Sequence, residues 1–262
     1  VYGGLALASI TGIVVIGGLK RIAEVASYLV PFMGSVYFGA MLIAILLNLE
    51  LVLPAFKLIF IDAFNGTAVA GGTFIGVLIY GVRRGAFSNE AGMGTESLVH
   101  GVAKVSHPVK QGLVAMTGPI FDTLIICTAT ALIILISGVW ETSTSQGVTL
   151  TSEAFNLLLG DLGGFILFAC VICFGLSTIF TYSYYGATCA RFIFGSFGMN
   201  FYIYLYIIGI FIYSIVPIDI AINIADGAFA MMAIPTLISA LWLAPKVMQE
   251  SKNYFKLINN IS

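Results

Sequence analysis

The run GGTFIGVLIYGVRRGAFSNEAGMGTESLVHGVAKVSHP, from Gly71 to Pro108, is apolar at both ends and polar in the middle. The stretch Thr73–Ala103 is 31 residues, about 46 Å long if helical, which overshoots a bilayer core of about 30 Å. Arg83, Arg84, Ser88, Asn89, Glu90, Thr95 and Glu96 lie inside it. Charge at membrane depth costs several kcal/mol unless it is paired or hydrated. Gly85, Gly92 and Gly94 flank the polar stretch, and each weakens a helix by about 1 kcal/mol relative to Ala. Leu98, Val99, Val102 and Val105 then resume an apolar stripe at helical spacing, so the segment does not simply leave the membrane as a loop. The reading is a spanning helix broken near Ser88–Gly94. Unwound backbone inside a membrane is tolerated where it is buried in protein or lines a wet cavity, and its freed N–H and C=O groups can hold an anion and a cation.

The rest of the chain agrees. Of 262 residues, 60% are hydrophobic and 9% charged, and the mean hydropathy is +1.05. That is far from the roughly 25% charge of a soluble domain, and it marks an all-α, polytopic membrane helix bundle. A β-barrel would show short alternating segments instead. With 11 Lys and Arg against 12 Asp and Glu, no nucleic-acid partner is expected. Cys127, Cys170, Cys173 and Cys189 sit in apolar runs without a second CxxC or a completing His, and are read as small buried hydrophobes. The chain starts at Val1 inside an apolar run, which suggests a piece lacking its N-terminal part.

One transmembrane domain over 1–262 divides into spans at about 1–19, 22–47, 73–103 (broken), 113–138, 163–192, 201–216 and 220–243. Residues 48–72, punctuated by Pro54, Lys57, Asp62, Asn65 and Gly66, are expected as an outer re-entrant or interfacial hairpin, Trp140–Asp161 as a polar outer linker, and 244–262 as a cytoplasmic tail. Lys20 and Arg21, Lys104 and Lys110, Arg191, and Lys246, Lys252 and Lys256 fall in every second loop and so all on one side, which places the C-terminus in the cytoplasm.

Arg84-Gly85-Ala86-Phe87-Ser88-Asn89-Glu90-Ala91-Gly92-Met93-Gly94 resembles the signature of the alanine or glycine:cation symporter family. The likeness continues through His107–Gly112, Phe121-Asp122-Thr123, Cys127-Thr128, Ser183–Gly186 and Ala233-Ile234-Pro235. It implies a LeuT-type inverted-repeat fold, with these spans as the fourth to tenth helices. It further implies uptake of a small neutral amino acid coupled to Na⁺ (or H⁺) by alternating access, in a cell membrane, with no enzyme chemistry and no cofactor. The family's first helix carries a Gly-x-Gly-Asn segment that supplies part of the site; it is absent here, so those N-terminal helices are required partners. Two departures stand out: Thr95-Glu96-Ser97 with His100-Gly101 after the signature, and Thr236 after Pro235.

Candidate site residues follow. Phe87, Ser88, Asn89, Glu90, Gly92 and Gly94 are expected at the substrate, with Glu90 open between ligand, acceptor for freed N–H groups, and partner of Arg84. Ser177 and Thr178 match the adjacent hydroxyls that the eighth helix of the LeuT-type fold gives to Na⁺, with Thr181 a weaker candidate; oxygen ligands suit a hard cation. Hydroxyls in membrane helices also bond to their own preceding carbonyls. Arg83 or Arg84 can snorkel, or close an outer gate on Asp226. Asp122 is either a proton relay or a hydrogen-bonded structural acid. Two other functions fit the composition. An ion channel lacks a recognisable filter here. An intramembrane aspartyl protease would need Asp122 and Asp161 at one depth, whereas Asp161 lies in the outer linker and Leu158 breaks the GxGD pattern.

Overall fold

The computed structural model describes residues 1–64 and 73–259. No strand occurs among them. In chain order the helices are α1 (Tyr2–Val15), α2 (Gly18–Leu47), α3 (Leu49–Ala63), α4 (Thr73–Asn89), α5 (Thr95–His100), α6 (Pro108–Ser137), α7 (Val139–Thr142), α8 (Val148–Leu159), α9 (Asp161–Tyr213) and α10 (Ile218–Asn259). Stretches of α2, α6, α9 and α10 are long and apolar enough to cross a membrane. Large apolar side chains cover the outside, among them Phe192, Leu241 and Trp242. Such a surface suits lipid, and the chain is an all-α polytopic membrane protein.

The main core gathers Tyr37, Met41 and Ala44 of α2, Ile133 of α6, Phe155 of α8, and Leu167 and Cys170 of α9. Tyr37 stacks on Phe155 at 5.8 Å between ring centroids, and its hydroxyl bonds Thr130 Oγ1 at 2.8 Å, so its polar end is satisfied inside the bundle. A second cluster of Val15, Ile22 and Phe180 seats α1 and the start of α2 on α9.

Several boundaries differ from the sequence reading. Within the segment expected as a hairpin, residues 49–63 form one helix through Pro54; the remaining residues, 65–72, lie outside the described residues. The expected polar linker folds into α7 and α8, because Thr151, Ala154 and Phe155 make a buried face at helical spacing. The spans expected at 163–192 and 201–216 form two helical arms of α9, joined at the non-helical Gly195 (φ 69°, ψ −159°), where the chain turns back so that the Tyr206 hydroxyl donates to the Ile179 carbonyl at 2.8 Å. The expected tail is helical as far as Asn259, within α10; residues 260–262 lie outside the described residues. Of the cysteines, Cys170 is buried, whereas Cys127 and Cys189 are exposed, so the buried reading fails for those two.

Candidate functional site

Helix α4 ends at Asn89 and α5 begins at Thr95, so the helix breaks within the SNEAGMG run. Three residues in the gap adopt left-handed backbone: Glu90 (φ 54°), Gly92 (φ 82°) and Gly94 (φ 89°). Glycine takes this conformation freely. Glu90 does not, and it is the non-glycine residue with positive φ among those described. Strain of this kind persists where surrounding contacts over-determine it. Here Tyr182 on α9 donates its hydroxyl proton to Glu90 Oε1 at 2.6 Å, and Asn89 Oδ1 accepts from the Ala91 N–H at 2.9 Å. Met93 is buried, and Gly94 lies so close to α10 that an added Cβ would sit 2.7 Å from Thr236 Oγ1.

The α4 side of the break is held by α6. Ser88 Oγ donates to Asp122 Oδ2 at 2.5 Å and lies 3.3 Å from Cys127 Sγ; Asn89 Nδ2 donates to Thr123 Oγ1 at 3.0 Å. Asp122, Thr123 and Cys127 belong to a π-helical stretch, Ile120–Cys127. Widened turns of this type recur at functional sites.

A cavity of about 500 Å³ opens at the break, lined by Phe87, Ser88, Glu90, Thr178, Ile179, Tyr182, Tyr206 and Phe229. Of the residues expected from sequence, it gathers Phe87, Ser88, Glu90 and Thr178. Asn89 is one residue along and bonded to Thr123, while Gly92 and Gly94 pack toward Leu237 and Thr236 of α10. Ser177 does not line it: its hydroxyl is buried, donates to the Phe174 carbonyl at 2.9 Å and faces Met33 Sδ at 3.9 Å. Thr181 bonds back to the Ser177 carbonyl at 2.9 Å, the local pattern of helical hydroxyls. A larger cleft of about 600 Å³ between the start of α6 and the end of α10 is mostly apolar, with Lys246, Glu250 and Ser251 among its lining residues, and lies away from the break.

Above the cavity, α4 and α10 meet in two layers. Asp226, buried, accepts a hydrogen bond from Arg83, and Arg84 lies 3.6 Å from the same oxygen. Arg84 therefore pairs with Asp226 rather than Glu90. One helical turn on, the Phe87 and Phe229 rings lie 5.1 Å apart, and the Arg83 guanidinium sits over Phe87 at 5.6 Å.

Sequence reasoning missed Tyr182, Tyr206 and Phe229. The signal for Tyr182 was present: it follows Thr178 by four residues, so the two share a face of α9. Nothing local marks Tyr206 or Phe229.

The chain matches the description of the Sodium:alanine symporter family over residues 1–260. It is 35% identical over 260 residues to the Sodium/alanine symporter AgcS of Methanococcus maripaludis, covering 98% of this chain and 57% of that protein. It is 37% identical over 254 residues to the Uncharacterized transporter YflA of Bacillus subtilis, covering 94% and 54%. It is 34% identical over 252 residues to a Probable sodium/glutamine symporter of the same organism, GlnT, covering 96% and 53%. The chain thus spans a little over half the length of these relatives. With a family match over residues 1–260 and a helix broken at its polar signature, the chain belongs to the sodium:alanine symporter family.

Proposed function

We propose that the complete protein is a secondary active symporter that takes up a small neutral amino acid, such as alanine or glycine, with Na⁺ by alternating access, on a LeuT-type inverted-repeat fold in the cell membrane with its C-terminus in the cytoplasm. The observation that carries this reading is the cavity at the break. There a hydroxyl (Ser88), a carboxylate (Glu90) and a second hydroxyl from another helix (Thr178) face about 500 Å³ closed on one side by aromatic rings. That volume suits a small zwitterion, and discontinuous helices place charged backbone ends against such cargo. Na⁺ is the coupling ion. Thr178, whose hydroxyl has no partner among the described residues, offers it a side-chain oxygen from α9, while Ser177 is turned toward Met33. No further cofactor takes part. The N-terminal helices of the same protein complete the site. The Arg83–Asp226 pair and the Phe87–Phe229 contact form the outer closure, released when the bundle rocks.

Full-length protein in proteoliposomes tests this. An inward Na⁺ gradient should drive saturable uptake of labelled alanine, glycine or serine, and Asn89→Ala and Thr178→Ala should each weaken it. Ion flux without any amino acid would support a channel instead. Wild-type substrate and Na⁺ dependence in both variants would overturn the site.

A further inference from the structure

The mechanism above gives no role to Asp122, yet this acid organises the α4 end of the break. Two hydroxyls converge on a single carboxylate oxygen: Ser88 Oγ at 2.5 Å and Thr123 Oγ1 at 3.2 Å from Asp122 Oδ2. Asn89 Nδ2 in turn donates to Thr123 Oγ1 at 3.0 Å. A carboxylate accepts and cannot donate, so it fixes the direction of every bond in this chain. Thr123 spends its only proton on Asp122 and receives the amide of Asn89. Ser88 spends its only proton on Asp122 as well. Cys127 Sγ, 3.3 Å from Ser88 Oγ, is then left to donate to it.

The winding of α6 makes this possible. In an α-helix, residues five apart diverge by about 140° around the axis. Asp122 and Cys127 are five apart, yet both reach Ser88 Oγ. They do so because Ile120–Cys127 is π-helical, with the wider i→i+5 turn that brings such residues onto one face.

We propose that Asp122 is a positioning residue: it holds Ser88 as a pure acceptor toward the cavity, so that Ser88 takes a cationic group of the cargo and turns away its carboxylate. The group is either the ammonium of the amino acid or the coupling Na⁺. The inference rests on the reading above that Ser88 touches transported cargo.

The substitution Asp122→Asn tests it in the full-length protein in proteoliposomes. Asparagine has nearly the same shape but can turn an N–H toward Ser88, which frees the serine proton to face the cavity. Labelled alanine is titrated at saturating Na⁺, and Na⁺ at saturating alanine. One half-saturation value should rise about tenfold or more, with the maximal rate within about twofold. A shift in the alanine titration names the ammonium; a shift in the Na⁺ titration names the ion. On a Ser88→Ala background the same substitution should add nothing, because Asp122 acts through Ser88. An additive loss, or no shift at all from Asp122→Asn, overturns the proposal. If Asp122→Asn does not reach the membrane, Asp122→Thr is read by the same rule: a shift that vanishes on the Ser88→Ala background supports the proposal, and an additive or absent one overturns it. Should Ser88→Ala alone leave both titrations at wild type, the contact between Ser88 and cargo falls, and the role of Asp122 falls with it.

Discussion

Gly94→Ala should damage the break for two separable reasons. Gly94 sits at φ 89°, and an L-residue held in left-handed backbone costs about 1–2 kcal/mol. The new Cβ would also fall 2.7 Å from Thr236 Oγ1, a distance real Cβ atoms do not tolerate. Thr236 cannot swing aside freely, since its hydroxyl donates to the Met232 carbonyl at 2.9 Å. Overpacking of this kind adds about 1–3 kcal/mol. The two parts sum to roughly 2–5 kcal/mol. Thr236→Ala removes the obstructing atom but leaves the backbone strain. The double variant Gly94→Ala/Thr236→Ala should therefore recover the packing part and retain a loss of about 1–2 kcal/mol relative to Thr236→Ala alone. Equilibrium unfolding of the full-length protein in mixed micelles reads these differences, and alanine uptake should follow the same order. Full stability in Gly94→Ala, or no recovery in the double variant, would refute the close approach of the break to α10.

Tyr182→Phe removes the donor that holds Glu90 in its left-handed conformation; a hydrogen bond to a charged acceptor is worth about 1.5–3 kcal/mol, so alanine affinity measured by calorimetry should fall about tenfold or more, and unchanged affinity would count against the Glu90–Tyr182 link. Asp226→Asn should loosen the outer closure. Both guanidiniums are more than a third exposed, so the pair is worth about 1 kcal/mol rather than the several of a fully buried bridge, and labelling of Cys127 by an external thiol reagent, mapped by mass spectrometry, should quicken about fivefold. In the loop before α8, hydrogen bonds from Ser143 and then Ser145 hold the Glu153 carboxyl below the usual glutamate range. Its contribution to stability is therefore complete above the ordinary glutamate range and is lost as pH falls through the lowered value; an NMR titration should show Glu153 returning to the ordinary range in Ser143→Ala/Ser145→Ala.

The break was legible because its signals are local. Polar and glycine residues interrupt a run too long for one crossing, and the left-handed positions fall on Glu90, Gly92 and Gly94 within it. The Arg83–Asp226 pair was also legible, since an intramembrane charge needs an opposite one and few acids were available. Contacts that join distant segments were not. Ser88 to Asp122 spans 34 positions and Glu90 to Tyr182 spans 92, and no local pattern encodes either. Ser177 and Thr178 point about 100° apart on the helix, and which of them reaches the cavity depends on how α9 is rotated by its packing on Met33 and Phe180. The fold of residues 139–159 was hidden for a different reason. Ser, Thr and Glu give that stretch a loop-like composition, while the buried Phe155 and Ala154 that anchor α8 are too few to mark an amphipathic helix without knowledge of the Tyr37 ring they meet.

Hydrogen–deuterium exchange on the reconstituted full-length protein addresses the break itself. With alanine and Na⁺ present, the amides of Glu90–Gly94 should exchange more slowly than with alanine and choline, while those of α8 stay unchanged. Equal exchange at Glu90–Gly94 in the two conditions, with protection appearing only elsewhere, would contradict cargo binding at the unwound segment.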